Sequence, residues 1–298
     1  MMILVVGATG TLGGRIVRGL LQQGKEVRIL VRDNSPSAAM AQMGMATSAD
    51  SLIAAGAEAM SGDLTDRASL DAVCEGVDTV ISTASATKRD GDIEAIDLNV
   101  NLNLIAAAAD AGVEHLIYTS AYGAGLDHPS PLFHFKGVCE NALQQSGMTW
   151  TTLKPNLFTE VWAGTVVGLP LQAGQPVTLV GKGDHRHSFI SEGDVAAFAI
   201  GAVDNPLAHN TRIEIGGPAY TWTEVVTEAG EAIGRDLPVN YVPVGSDVPL
   251  LDPVISNLLN AHETYESIID MGDLPAQYGI ELTPMETVLQ QMFGSHPG

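Results

Sequence analysis

The chain has 298 residues, and 14 basic against 35 acidic side chains leave a formal net charge of −21. With 45% of the sequence hydrophobic, there is apolar material for a sizeable core, and disorder is not expected. The acidic balance argues against a sequence-independent nucleic-acid binder and against attraction to anionic membranes, since both need clustered Lys and Arg. Two cysteines, Cys74 and Cys139, cannot frame a disulfide scaffold in a chain this long. Neither sits in a Cys-x-x-Cys pair, so both read as buried small apolar residues. The apolar run from Met1 to Gly7 follows no basic region and is too short for a signal peptide or a membrane span. A reduced, cytoplasmic protein is expected, as a monomer or homodimer.

In chain order, residues 2–7 form a β-rich run ending at Gly7, and 12–23 have helical spacing. Further strands are predicted at 26–31, 57–60, 78–83 and 115–119, with helical runs between them, including the Asn- and Ala-rich stretch 97–110. This alternation predicts an α/β fold of the Rossmann type, a doubly wound parallel sheet. A helix is predicted at 134–146 and a strand at 149–154. Residues 34–48, with Met40, Met43 and Met45, make a long insertion after the second strand and read as an adaptable packing segment, with a flap or a short helix beside the cofactor as the alternatives. Beyond Pro155 the pattern loosens, with a strand at 177–180, a helix at 192–203 and a strand at 211–215. Thr221-Trp222-Thr223-Glu224 is a capping box and should start a helix. The end of the chain reads as loop-rich, punctuated by Pro249, Pro253, Pro275 and Pro284. The expected organisation is a nucleotide-binding domain at 1–155. A mainly substrate-binding region follows at 156–298, with segments returning to the first sheet.

Gly7-Ala8-Thr9-Gly10-Thr11-Leu12-Gly13 lies between the first predicted strand and helix, the context that gives a glycine pattern meaning. Gly7 permits a tight turn, Gly10 lets backbone approach a pyrophosphate, and Gly13 lets the helix pack on the sheet. The exposed amides from Thr9 to Leu12 and the helix dipole favour an anion. Arg32 ends the second strand, where a basic residue accommodates the 2′-phosphate of NADP. Its planar fork of donors suits that phosphate, so NADP(H) is expected. The competing readings are that Asp33 takes the ribose, or that Arg32 pairs with Asp33 or a helix end. The small residues Thr83, Ala84 and Ser85 after the fourth strand let backbone approach the ribose and pyrophosphate. Ser120 and Tyr122 follow the fifth strand, on the edge that faces the crevice of open α/β sheets, and either can bond a substrate carbonyl. Phe133 reads as a wall residue, and His134 as a weaker candidate proton donor. His185 and His187 lack a carboxylate or Cys partner at a recognisable spacing, so no metal is expected.

The glycine spacing, with Val31-Arg32, Gly62-Asp63-Leu64-Thr65-Asp66, Ala111-Gly112-Val113 and Lys154-Pro155-Asn156-Leu157-Phe158, resembles the NmrA-like branch of atypical short-chain dehydrogenases. That branch includes type 2 quinone oxidoreductases, triphenylmethane reductase, isoflavone-reductase relatives and redox-sensing regulators. The resemblance implies NADP(H), with Asp63 near the adenine amine and Leu64 on the ring face. It places Pro155, Asn156 and Phe158 along the nicotinamide, with Trp162 in the substrate pocket and the 185–187 loop carrying substrate contacts. Lys136 matches the lysine of the family's Tyr-x-x-x-Lys pair, but Leu132 stands where the Tyr would be. Lys136 is then expected to hold ribose hydroxyls or polarise a substrate oxygen, one of only five lysines in the chain to do so. The implied function is NADPH-dependent hydride transfer to a small conjugated acceptor such as a quinone or enone. The alternative is a non-catalytic NADP(H)-binding sensor that acts through a protein partner.

Overall fold

The structure, a computed structural model, describes residues 1–32, 46–86 and 92–294. Asp33 and most of the Met-bearing insertion lie outside the described residues. The chain divides into two compact units, residues 1–154 with 195–214, and residues 155–194 with 215–298.

The first unit alternates strand and helix: β1 (Met2–Val6), α1 (Thr11–Gln22), β2 (Glu26–Val31), α2 (Ala49–Ala54), β3 (Glu58–Ser61), α3 (Arg67–Cys74) and β4 (Thr79–Ser82). A π-helix, Glu94–Val100, runs into α4 (Asn101–Asp110), followed by β5 (His115–Thr119), α5 (Pro131–Gln145) and β6 (Thr149–Pro155). The strands order as β3-β2-β1-β4-β5-β6, with a later strand β10 (Thr211–Ile215) at the β6 edge. Pairings from β3 to β6 are all parallel. Such strands are apolar on both faces: Leu4, Val6, Val80 and Leu116 pack on one face against Leu70, Leu104 and Leu143 of the helices, and Val5, Ile81 and Ile117 are fully buried on the other. Each fully buried Leu or Val contributes about 1.5–3 kcal/mol relative to exposure, so this packing fixes the sheet edge that carries the loops.

The second unit holds β7 (Leu157–Phe158), α6 (Thr159–Ala163), α7 (Leu169–Gln172), β8 (Val177–Val180) and β9 (His187–Ile190). α8 (Glu192–Gly201) leads from it into the first unit. After β10 come β11 (Ala219–Tyr220), α9 (Trp222–Ile233), β12 (Val239–Val242), α10 (Pro253–His262), α11 (Leu274–Gln277) and α12 (Met285–Phe293). Its small sheets order as β11-β9-β7 and β12-β8 around a core of Trp162, Phe189, Trp222, Leu259 and Leu289. The capping box is formed at α9, with Thr221 and Glu224 bonding each other's backbone amides. The region expected to be loop-rich contains two full helices. Pro253 is the first residue of α10 and Pro284 the N-cap of α12, positions where a missing N–H costs nothing. None of the described helices is long and apolar enough to cross a membrane.

Candidate functional site

Because β1 to β5 are parallel, the residues that follow them line one edge of the sheet: Gly7, Arg32, Gly62, Thr83 and Ser120. β1 has β2 on one side and β4 on the other, so chain connections diverge there and leave a crevice. The glycine turn sits at this switch point. Gly7 has φ +84°, and a Cβ on it would lie 2.5 Å from Thr83 Oγ1. Its carbonyl accepts from Gly10 N at 2.9 Å. A Cβ on Gly13 would fall 2.3 Å from that same carbonyl oxygen, which explains why α1 opens on glycine. Gly10 is the N-cap of α1 and brings no side-chain acceptor, so the positive end of the helix faces outward through its own amides. Thr47 braces the turn, donating N–H to Thr9 O at 2.8 Å and its hydroxyl to Gly10 O at 3.3 Å.

Arg32 is exposed at the end of β2. Asp63 accepts from the Thr65 amide and hydroxyl, both at 2.8 Å. Those two bonds, and the Arg32 charge more weakly, hold its carboxyl below the usual aspartate range against a small opposing effect of burial. Asp63 closes a tight turn; the cap of α3 is Asp66, which accepts from Ala68 N and Ser69 N. Leu64 packs half-buried on the main core. Thr83 donates to Val6 O and leaves the β4 end close against the glycine turn.

Beyond β4 the fold buries four charges. Lys136 is 5% exposed, and its Nζ lies 3.3 Å from Asp97 Oδ1. Asp97, at 0% exposure, also accepts from Ser85 Oγ at 2.7 Å and Ala86 N at 3.0 Å. One turn along α5, Glu140 accepts from Lys154 Nζ at 2.7 Å and Ser120 Oγ at 2.5 Å. Lys154 also donates to Ala124 O at 2.9 Å. The π-helix turns Asp97 inward, and Asn101 next to it accepts from Ser82 and donates to Ala84 O. Tyr118 lies under Lys136, its ring centroid 5.7 Å from Nζ, and burial raises its phenol well above the usual range. The Cys139 thiol donates to Asp97 O and is pushed up to about 12, chiefly by burial. Both cysteines are free and buried.

The sequence candidates separate accordingly. Lys136 is buried beyond β4 beside Asp97, and Leu132 is buried four residues before it. Ser120 is 4% exposed and donates to Glu140, within that ion pair. Tyr122 is half-buried on a turn that Lys154 pins through Ala124. Phe133 is half-buried and stacks on His128 at 4.7 Å, and His134 Nδ1 bonds Leu126 O at 2.6 Å. In the second unit the Asn156 amide donates to Ser267 O and Oγ at 2.8 and 2.9 Å, and Phe158 is half-buried beside β9. Trp162 is 9% exposed in the core of the second unit, 5.7 Å from Trp222 and 4.8 Å from the His262 ring. His187 is fully engaged, by Ser267 Oγ and His262 O, whereas His185 faces Asp184 and Glu263. Asp97, Asn101, Glu140 and Lys154 are absent from the sequence candidates. Only the Lys136–Glu140 spacing of four on one helix signalled any of them.

Comparison with known proteins agrees with this geometry. The chain is 33% identical over 248 residues to the "NAD(P)H azoreductase" of Xenophilus azovorans, covering 82% of this chain and 77% of the relative. It is 27% identical over 311 residues to the "Photosystem II assembly factor Ycf39" of Synechocystis, covering 99% and 91%. The fold matches that of the NADPH-dependent quinone oxidoreductase QOR2 of Escherichia coli, solved with NADPH, at TM-score 0.78 and 22% identity over 98% of this chain and all of the other. The model of the NmrA-like family matches residues 1–292. With a match of that extent over a sheet ordered for nucleotide binding, the chain belongs to the NmrA-like family and is related to NAD(P)H-dependent reductases.

Proposed function

We propose that the protein is an NADPH-dependent oxidoreductase that reduces a small conjugated acceptor such as a quinone or enone. The observation that carries this reading is the turn Gly7–Gly13, side-chain-free at the N-cap of α1 and set at the switch point of the sheet. The turn suits a pyrophosphate, because Gly10 leaves the first amides of α1 uncovered by a side chain, while Gly7 and Gly13 pack too closely on Thr83 and on the Gly7 carbonyl to carry a Cβ. Gly7, Thr9, Gly10, Thr11, Leu12 and Gly13 would hold that group, and Arg32 the 2′-phosphate. Asp63 and Leu64 flank the adenine in this reading, and Thr83, Ala84 and Ser85 run past the ribose. NADPH supplies the hydride when bound.

The chain's own contribution is positioning and charge. Asp97 fixes Lys136, whose ammonium is poised for ribose hydroxyls or for an oxygen gaining negative charge. Tyr122 bonds the acceptor oxygen and Phe133 walls the acceptor. Leu132 removes the phenolic relay that alcohol–ketone exchange uses, which directs the protein to acceptors carrying their own electron sink. An NAD(P)H azoreductase among the relatives points to acceptors of that kind.

Fluorescence titration of the purified protein is expected to show tighter binding of NADPH than of NADH, with NADPH oxidised when a quinone is added. Arg32→Ala is expected to erase the preference, mainly through KM for NADPH. Absence of cofactor oxidation across quinones, enones and azo dyes would defeat the enzyme reading. The relative named as an assembly factor favours a second reading, a nucleotide sensor that acts through a protein partner. Equal affinity for oxidised and reduced cofactor, no turnover and a partner recovered with the protein would select it.

A further inference from the structure

The second unit brings together three groups that the nucleotide chemistry does not use. Asp184, His185 and Glu263 each present one ligand atom, all within 4.8 Å of one another. His185 Nδ1 lies 3.6 Å from Asp184 Oδ1 and 3.9 Å from Glu263 Oε2. Those separations are too long for hydrogen bonds and close to the edge of a tetrahedron of ligands at zinc distances, about 3.4 Å.

Burial of Glu263 distinguishes this cluster from acidic groups on a surface, although the Asp184 and His185 side chains are 60% and 36% exposed. The Glu263 side chain is 4% exposed. Its Oε2 accepts from the amides of Lys182 at 3.1 Å and Gly183 at 3.3 Å. Its Oε1 is buried with no hydrogen-bond partner among the described residues, and so is His185 Nδ1. Two neighbouring side chains, whose Oε2 and Nδ1 lie 3.9 Å apart, thus each keep a buried polar atom without a partner among the described residues, which a further ligand would satisfy. The backbone is shaped for it. Gly181 and Gly183 have φ +59° and +64°, and a Cβ on Gly181 would lie 2.3 Å from Glu263 Oε2. The turn can therefore wrap the carboxylate only as glycine. His187 is excluded as a ligand because both its ring nitrogens are bonded, to Ser267 and to the His262 carbonyl.

We propose that Asp184, His185 and Glu263 form a site for a borderline divalent cation, zinc foremost. Two carboxylates balance the double charge, and a neutral imidazole supplies the nitrogen that selects zinc or its neighbours over magnesium. Three protein ligands leave a fourth position for water. Asp184 and His185 lie on the approach to β9, and Glu263 is the C-cap of α10. The cation ties those two segments, about 80 residues apart in the chain, and so stiffens the second unit.

The test uses the full chain, stripped with a chelator and titrated with Zn2+ by calorimetry and with Co2+ by visible absorption. One equivalent is expected to bind, with a rise in Tm and a Co2+ spectrum of four-coordinate type. His185→Ala and Asp184→Asn are expected to weaken binding at least tenfold and abolish the Co2+ band. His209→Ala, in the first unit, should change neither. Asp184 is exposed, so its variant reports on binding even if Glu263→Gln fails to fold. No heat with the native chain, or unchanged affinity in both His185→Ala and Asp184→Asn, would overturn the site.

Discussion

Asp97 and Lys136 are unequal partners. Asp97 keeps two further donors, Ser85 and the Ala86 amide, if Lys136 is removed. Lys136 has one carboxylate on it among the described residues, and loses it with Asp97. A buried charge stripped of its counterion is costly, about 3 kcal/mol or more, whereas an apolar replacement of similar volume is tolerated. Asp97→Ala is therefore expected to destabilise the protein by about 3 kcal/mol in urea unfolding, and Lys136→Met by about 1 kcal/mol. In acceptor assays the order reverses: Lys136→Met, with the better-preserved fold, is expected to lose more kcat. Equal destabilisation by the two changes would show that Asp97 is not what holds the ammonium. Lys136 stood out in the sequence because lysines are few. Asp97 did not, because an acid inside an Asn- and Ala-rich helix has no spacing that separates a buried pair from a solvated face. Trp162 is illegible for the converse reason: an aromatic just past a strand has one signature whether it lines a cleft or fills a core.

Elements were more legible than contacts, because periodicity is a property of backbone geometry. The strand predicted at 26–31 and that at 177–180 coincide with β2 and β8, and the parallel alternation placed the glycine turn correctly. Boundaries moved where capping chemistry outweighed periodicity. α5 begins at Pro131, three residues before the predicted start, with Ser130 as N-cap and proline in its first turn. The π-helix had no sequence signal; the bonds its Asp97 makes to Ser85 and Ala86 are tertiary and leave no periodicity in the chain. The turn itself permits a sharp expectation. A methyl group at position 13 would meet the Gly7 carbonyl at 2.3 Å and its carbon at 2.8 Å, both backbone atoms. Gly13→Ala must then push α1 off the sheet. It is expected to cost about 1–3 kcal/mol and lower NADPH affinity more than tenfold. Thermal unfolding and calorimetric titration measure the two effects; unchanged affinity in a folded Gly13→Ala protein would remove the turn from the nucleotide site.

At the scale of the whole molecule, a net charge of −21 makes acidification double-edged. Protonating surface carboxylates relieves self-repulsion, which favours the compact state. His115 works against that gain. It sits at the start of β5, 5% exposed, with Nε2 bonded to Thr151 Oγ1 at 2.8 Å and its ring 5.3 Å from His209. Burial, and then the neighbouring His209, lower its pKa from 6.5 to about 4. The folded chain thus binds the proton less readily than the unfolded chain. Its contribution is complete above pH 6.5, falls as pH drops from 6.5 toward 4, and is lost below that, roughly 3 kcal/mol in all. His115→Gln removes the titration, with glutamine's amide able to reach Thr151. The difference in unfolding free energy between native and variant protein should shrink as pH is lowered from 7 to 4 and be flat from 7 to 8. A difference that stays constant across that range would show that His115 titrates alike in both states, and would leave acid sensitivity to the carboxylates alone.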